Sequence, residues 1–388
     1  MGRPRVNFND PNAHELIMRA AGADSSFLWT RPLTGIALSD TDVDGLVARA
    51  TAYLDQNHIT YPDQETLVRR CVTGLLVGHL ILQGPPGTGK TTLARALAEA
   101  FNVHLFPSTA TSEWSPFHVV GGLRPKKDGG LASALGVVPQ AVLDCAERVR
   151  TAQDDSDGDG PDATWLLIDE FNRADIDKAI GSLYTLLSSC EPSHLDQTPI
   201  DLWFEDAPSD RSLWVPARFR ILGTMNDLDT SYVSTMSQGL RRRFQFITVG
   251  VPSEGATAGN PVAVELTTAL EGARASLAET YALSVEDSAD LTSGLASLQR
   301  LVDGLRRPTN NDGWPVGTAQ VVDVLKSYLL IGPQHAYALD ESVAQRLIGQ
   351  MTMLSQGQYD TFKTLLQGES LSLSVRELVH VYRPYAVM

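Results

Sequence analysis

The sequence predicts an α/β domain, a parallel sheet flanked by helices around a glycine-rich loop, followed by a helical C-terminal part. Three observations carry this expectation. An apolar run, His79-Leu80-Ile81-Leu82, enters a glycine-rich loop that opens a strongly patterned helix over 91–101. A further apolar run, 165–168, leads as a buried strand into the polar Asp169-Glu170, and another strand, 218–223, leads toward Asn226. After Pro252 the strand signals stop, and from about Val262 the apolar spacing is helical.

The 388 residues allow about two or three domains, at roughly 100 to 200 residues each. With 43% hydrophobic and 20% charged residues the chain has enough apolar material for a sizeable core. No run of about 18 apolar residues occurs, which excludes a helical membrane span. The opening MGRPRVNFND lacks the apolar stretch of a secretory signal, so a cytoplasmic address is expected. Three widely spaced cysteines, Cys71, Cys145 and Cys190, form neither a metal-ligand pattern nor a disulfide framework, which fits a reducing compartment. The 31 basic and 46 acidic residues give a formal charge of −15, the wrong balance for gripping nucleic acid over a broad face, though a local basic pore is still compatible with it.

Taken in order, residues 1–38 read as an irregular arm rich in Gly, Pro, Asn and Asp. A helix begins after the capping SDTD at 39–42 and carries Val43, Leu46, Val47, Ala50 and Leu54. Tyr61-Pro62-Asp63 breaks it, and a second helix over 64–74 carries Leu67, Val68 and Cys71. The acidic stretch 151–162 begins like a calcium loop with Asp155, Asp157, Asp159 and Gly160. Its twelfth position is Leu166, where a bidentate Glu is needed, and Pro161 follows the glycine, so a solvated loop is the better reading. A helix is expected over 180–187 and a strand over 244–249. These signals divide the chain into an N-terminal arm and helix (1–62), an α/β part (63–252) and a helical part (253–388).

Gly84-Pro85-Pro86-Gly87-Thr88-Gly89-Lys90-Thr91, continued by Thr92, matches G-x-x-x-x-G-K-[ST] in full. Its glycines let successive backbone N–H groups turn inward around a polyphosphate, and the following helix aims its positive end at the same anion. Lys90 can reach the β- and γ-phosphates and the Thr91 hydroxyl can ligate Mg²⁺. Asp169, at a strand end that opens on the ligand crevice, can hold Mg²⁺ through water, and Glu170 is suited to orient the attacking water. Alone, the pair would fit a solvated strand end; following a phosphate loop, it gains a role. Asn226 can hold the lytic water or report hydrolysis, while by itself it also fits a turn with Asp227. Arg241-Arg242-Arg243 before Phe244 fits either a solvated helix end or guanidinium groups that stabilise a neighbour's γ-phosphate.

The order of these pieces resembles an AAA+ ATPase. The stretch 168–175, IDEFNRAD, is similar to the DEINRA phrase of the MoxR and McrB (dynein-related) branch, and 114–125, WSPFHVVGGLRP, resembles that branch's helix insert. GTMN at 223–226 and LRRRF at 240–244 resemble McrB-type restriction motors in particular. The resemblance covers about residues 65–250 well and the tail by position. It implies a P-loop NTPase domain with a helical lid and ATP between them, in a homo-oligomeric ring, commonly of six. On this basis Lys90, Thr91, Asp169, Glu170 and Asn226 would act within one subunit, while Arg242 and Arg243 would reach the next. Arg243 is the preferred finger, with Arg173 helping at the same interface. The inserted segments, about 112–137 and 193–217, would face the pore and bring Lys126, Lys127 and Trp203 to substrate.

The sequence also departs from the family. McrB-type motors follow GTMN with TADRS, the neighbourhood of guanine preference; here 227–231 is DLDTS, which favours ATP and leaves GTP as the alternative. The MoxR lid carries an arginine where this chain has Gly317-Thr318-Ala319-Gln320, and Arg306 and Arg307 are the nearest substitutes. No D-x-S-x-S adhesion motif and no nuclease cluster is present. Effector chemistry is therefore expected from a separately encoded partner, a nuclease or a client protein, with DNA reached only through the pore or that partner and no membrane role. The function implied is Mg-ATP hydrolysis driving movement or remodelling, as the motor of a McrBC-like restriction or phage-defence system. A MoxR-type chaperone and an ATP-gated scaffold with little hydrolysis are the alternatives.

Overall fold

The computed structural model describes residues 27–127, 129–154, 160–226, 236–251, 261–283, 286–306, 313–351 and 354–382. The arm before Phe27, the calcium-like Asp155, Asp157 and Asp159, the 227–231 segment after Asn226, and Arg307 lie outside these residues. Helices α1 (Val43–Gln56) and α2 (Gln64–Val77) are followed by strand β1 (His79–Gly84) and helix α3 (Lys90–Ala100). Next come β2 (Val103–Thr109), a hairpin of β3 (Gly121–Pro125) and β4 (Leu131–Leu135), helix α4 (Val137–Asp154) and β5 (Ala163–Asp169). A second hairpin, β6 (Ile200–Asp201) with β7 (Ser212–Leu213), precedes β8 (Arg220–Asn226) and β9 (Phe244–Thr248). The remainder is helical: α5 (Pro261–Tyr281), α6 (Ala289–Arg306), α7 (Thr318–Ile331), α8 (Ala338–Arg346), α9 (Gln356–Gly368) and α10 (Ser372–Tyr382). The chain forms two compact units, one from the described residues of 1–50, 68–83 and 91–248, the other from those of 51–67, 84–90 and 249–388. Among the described residues, no helix is long and apolar enough to cross a membrane.

The first unit is built on a five-stranded parallel sheet in the order β2-β5-β8-β1-β9. Leu80, Ile81 and Leu82 of β1 and 165–168 of β5 are buried in unbroken runs, which is why these strands show no polar alternation in the sequence, and Ile221 and Leu222 of β8 are buried beside them. Helix α4 packs against β5 and buries Ala141, Val142, Cys145 and Val149 at helical spacing. The helix expected over 180–187 is instead a short helix, Ile176–Ile180, followed by isolated 3₁₀ turns at Gly181–Leu183 and Leu186–Ser188. The Tyr184 carbonyl accepts from Arg243 Nε at 2.6 Å, a long-range bond, and from the nearby Ser188 Oγ at 2.9 Å, so side chains take the place of a continuing helical amide there.

His79 opens β1 inside this core. Its Nδ1 accepts the Ile221 amide at 3.1 Å, and its Nε2 faces the Cys190 Sγ at 3.9 Å. Accepting at Nδ1 leaves the proton on Nε2 in the neutral ring. Burial, aided by the charge of Arg220, pushes the His79 pKa down to about 3. The Arg220 guanidinium donates to the carbonyls of Leu75, Ala217 and Phe219, at 2.7, 2.8 and 2.8 Å, so the strand start is held by buried polar bonds.

In the second unit, helices α5–α10 share one core. Leu298, Leu301, Val302 and Leu305 of α6, Val321, Val324, Leu325 and Tyr328 of α7, and Phe362 and Leu366 of α9 return every three or four residues. One charged pair lies inside it. Arg306 of α6 donates through both terminal nitrogens to the Glu265 carboxylate of α5, and through Nε to the Val316 carbonyl at 2.8 Å. The side chains are 0% and 1% exposed, and the Thr318 hydroxyl donates to the same carboxylate at 2.6 Å. Arg306 is thus occupied in the core, and the sequence's suggestion of it as a lid arginine for nucleotide meets a guanidinium already paired.

The buried neutral His79 fixes the sign of one pH effect. Because its folded pKa lies below the ordinary value, its contribution is complete above about pH 6.5 and is lost as pH falls toward 3. The unfolded state then takes up the proton that the folded state refuses. Between pH 7 and pH 5 wild-type stability should fall by about 2 kcal/mol from this group. Urea melts of wild type and His79→Asn at both pH values check this: the variant should lose that increment of pH dependence, and equal slopes would refute it.

Candidate active site

The carboxyl ends of β5 and β8 carry the acidic part of the site within the first unit. Their register pairs Ile168 with Gly223, which sets Asp169 beside Thr224. The Thr224 hydroxyl donates to Asp169 Oδ1 and accepts the Glu170 amide at 3.3 Å. One hydroxyl therefore ties both acidic residues to β8. Asn226, two residues on and on the same face as Thr224, donates from Nδ2 to both Glu170 carboxylate oxygens, at 2.9 and 3.0 Å. Arg173 Nε lies 3.2 Å from Glu170 Oε2, and its half-exposed guanidinium pairs with that carboxylate. Asn172 is buried and donates to the Asn226 carbonyl at 2.9 Å, while its Oδ1 has no hydrogen-bond partner among the described residues.

Glu170 itself has φ 55° and ψ 41°, the left-handed region that glycine favours. For a glutamate this costs about 1–2 kcal/mol, and such strain concentrates at functional positions. Here it turns the chain sharply at the end of β5 and aims the carboxylate at Asn226. Asp169 keeps a second carboxylate oxygen beyond the one Thr224 engages, which suits a Mg²⁺ ligand acting through water.

The glycine loop, residues 84–90, belongs to the second unit. Gly87 and Gly89 have φ 75° and 81°, conformations that side chains resist. Lys90 is buried and donates from Nζ to the carbonyls of Gly84 and Pro85, at 2.8 and 2.6 Å. Thr88 Oγ1 donates to the Pro85 carbonyl at 3.0 Å. Pro86 is exposed at the crest of the loop, and Thr91 and Thr92 are half-buried in the first turn of α3. Loop carbonyls engaged by donors, with glycines at positive φ, are what a cradle of inward N–H groups for a polyphosphate requires.

The Arg triplet lies on the short helix Gln238–Arg241 and the turn after it. The Arg241 guanidinium sits 4.8 Å from the Phe246 ring centroid. Arg243 is half-buried: its Nε donates to the Tyr184 carbonyl, a second nitrogen donates to the Gly239 carbonyl, and its guanidinium covers the Tyr184 ring at 4.6 Å. Arg242 is exposed, and its side chain makes no hydrogen bond or ion pair among the described residues. The Tyr184 hydroxyl and Ser237 both donate to Asp177. Burial opposes the Asp177 charge, but these bonds outweigh it and hold the carboxyl below its usual range. In the inserts, Phe204 packs over Gly121 and accepts from Ser133 Oγ at 3.4 Å, so the two hairpins meet. Lys126 and Lys127 are exposed at the tip of the β3–β4 hairpin, and Trp203 is 60% exposed beside Phe204.

Sequence reading quoted Thr224 and Asn172 inside motifs but gave them no task. A signal for Thr224 exists, because it stands two residues before Asn226 and so shares its face. Thr224→Val keeps the shape but removes the hydroxyl shared by Asp169 and Glu170. It should lower stability by about 1 kcal/mol in urea unfolding. An unchanged midpoint would show that the tie carries nothing.

Residues 79–244 match the family model described as AAA domain (dynein-related subfamily). The type IV methyl-directed restriction enzyme EcoKMcrB subunit of Escherichia coli (strain K12) is 27% identical over 191 residues, 48% of this chain and 37% of that protein. Lon protease homolog 1, mitochondrial, of Arabidopsis thaliana is 30% identical over 135 residues, 33% of this chain and 12% of that protein. The probable inactive ATP-dependent zinc metalloprotease FTSHI 2, chloroplastic, also of Arabidopsis thaliana, is 28% identical over 222 residues, 53% of this chain and 24% of that protein. The chain thus spans 37% or less of the length of these relatives. AAA domains as a family are nucleotide-binding, ATP-hydrolysing domains. The matched span runs from the first residue of β1 to the first residue of β9, so the sheet-bearing part of the chain is similar to AAA domains of the dynein-related subfamily.

Proposed function

We propose that this chain is a ring-forming nucleoside triphosphatase that uses Mg-ATP hydrolysis, with GTP as the alternative, to move or remodel a separately encoded partner. The observation that carries the reading is the Glu170 carboxylate, turned by a left-handed backbone and held through both oxygens by Asn226. A merely solvated strand end has no need of either device. The loop amides of 84–90 and Lys90 bind the phosphates, Thr91 and Asp169 hold Mg²⁺, and Glu170 with Asn226 orients and polarises a water. The metal, when bound, neutralises charge on the phosphate oxygens.

Arg242 and Arg243 are the candidates for reaching a neighbouring subunit's γ-phosphate: Arg243, preferred from the sequence, is half-buried against the Tyr184 and Gly239 carbonyls, and Arg242 is exposed. The likeness to the EcoKMcrB subunit of a restriction enzyme supports a motor role in restriction or phage defence; a ring of six and a nuclease partner complete the proposal. Exposed Lys126, Lys127 and Trp203 are the substrate contacts in that arrangement. The charge of −15 favours a protein client, which keeps a MoxR-type remodelling chaperone as the second reading. Turnover of ATP and GTP with and without double-stranded DNA separates the two, since stimulation by DNA favours the motor.

Lys90→Ala should lose nucleotide binding in a titration calorimeter. Glu170→Gln should bind ATP while its turnover falls about 10²-fold or more; wild-type turnover in that variant would refute the role. Arg242→Ala and Arg243→Ala should leave nucleotide binding intact, and loss of the reaching guanidinium should cost about 10³-fold in rate. Activity recovered on mixing either arginine variant with Glu170→Gln subunits marks action across an interface, whereas activity that stays lost in the mixture counts against it.

A further inference from the structure

In a planar trans peptide the C=O of one residue and the N–H of the next point in opposite directions. Fixing a carbonyl therefore fixes the amide behind it. Two carbonyls of the glycine loop are fixed from outside the loop, both by groups of the same compact unit. The Tyr61 hydroxyl donates to the Gly89 carbonyl at 2.8 Å, which turns the Lys90 N–H away from Tyr61. The Ala319 amide donates to the Gly87 carbonyl at 2.9 Å, which turns the Thr88 N–H away from α7.

Both donors are themselves held. Tyr61 is buried, and its own amide donates to Gln64 Oε1 at 3.1 Å. Ala319 lies in the first turn of α7, where amides lack an intrahelical acceptor, so the Gly87 carbonyl supplies one. That turn comes close because residue 317 has no side chain. A Cβ on Gly317 would lie 2.5 Å from the Gly87 carbonyl carbon and 2.6 Å from the Gly87 and Pro86 oxygens. The turn is anchored behind by Thr318 on Glu265 and by Arg306 on the Val316 carbonyl, at 2.6 and 2.8 Å.

We propose that Tyr61 and the turn Gly317-Thr318-Ala319 are positioning elements that preset the peptide planes 87–88 and 89–90, so that the Thr88 and Lys90 amides face the phosphates before nucleotide arrives. This rests on the nucleotide reading above. The brace carries no charge and touches no reacting atom. Its effect is on affinity, by sparing the loop a reorganisation on binding.

The test uses the full chain with Tyr61→Phe, which deletes only the hydroxyl, and Gly317→Val, which drives α7 off the loop. Amide hydrogen exchange over 84–92 without nucleotide should rise severalfold in both variants. The dissociation constant for Mg-ATP should rise about fivefold in Tyr61→Phe, the effect of one neutral hydrogen bond. Turnover at saturating ATP should stay within about twofold, a split that a general loss of structure would not produce. If Gly317→Val does not fold, Gly317→Ala and Tyr61→Phe decide. Unchanged exchange in the folded variants overturns the proposal, and so does raised exchange with unchanged affinity. If wild type binds no triphosphate yet exchange rises in the variants, the nucleotide reading fails and the brace stands as a feature of the loop.

Discussion

The pairing of β5 with β8 at Ile168 opposite Gly223 is the constraint from which the strand-end chemistry follows. Side chains alternate along a strand with a period of two, so this register puts Thr224 and Asn226 on one face, level with Asp169 and just beyond it. A slip of one residue would carry both side chains to the other face and leave Glu170 without its amide partner. The register resists slipping because both faces of these strands are close-packed: a slip would exchange Trp165, Leu166 and Ile168 of β5 or Ile221 and Leu222 of β8 with neighbours of other shapes in filled cores. Core packing on both sides of the sheet thus reaches its carboxyl edge as a fixed set of polar contacts.

A different constraint governs the helical unit. A buried ion pair is weak evidence for stability, because desolvation offsets most of its attraction. The Arg306–Glu265 pair is better understood by what it locates. Its guanidinium holds the Val316 carbonyl and its carboxylate accepts from Thr318, the residues on either side of Gly317. An apolar substitute could fill the same volume without fixing that backbone. The pair therefore specifies the start of α7 to within a hydrogen bond, and this precision matters where the Gly317 backbone lies against Gly87.

What the sequence disclosed follows the range of the interactions involved. The glycine loop, β1 and β5 were legible because a local phosphate motif and unbroken apolar runs encode them within a few residues. Thr224, Tyr61 and Gly317 were not assigned roles, since each acts on a residue 28 to 230 positions away: Gly317 on Gly87, Tyr61 on Gly89, Thr224 on Asp169. The same limit explains the expected 180–187 helix, where helical spacing competes with an Arg243 bond to the Tyr184 carbonyl. It also explains the triplet at 241–243. Three identical side chains in sequence acquire three environments, one over the Phe246 ring, one exposed and one tied to carbonyls. Residue type gave the chemistry of the site, and the contacts of each side chain distinguished its members.

The costs at the strand ends point the same way as their geometry. Glu170 occupies a backbone conformation that disfavours it, and Asn172 buries an oxygen without a partner. Selection for stability alone would place glycine at 170 and an apolar residue at 172. A glutamate side chain left free would lose about 2 kcal/mol of rotamer entropy on being fixed. Here that loss is incurred on folding, because Asn226 and Arg173 already hold the carboxylate. The strain therefore has a physical counterpart: a carboxylate whose direction is settled on folding, as the proposed water-orienting role requires, in a segment whose neighbours are otherwise packed as an ordinary core.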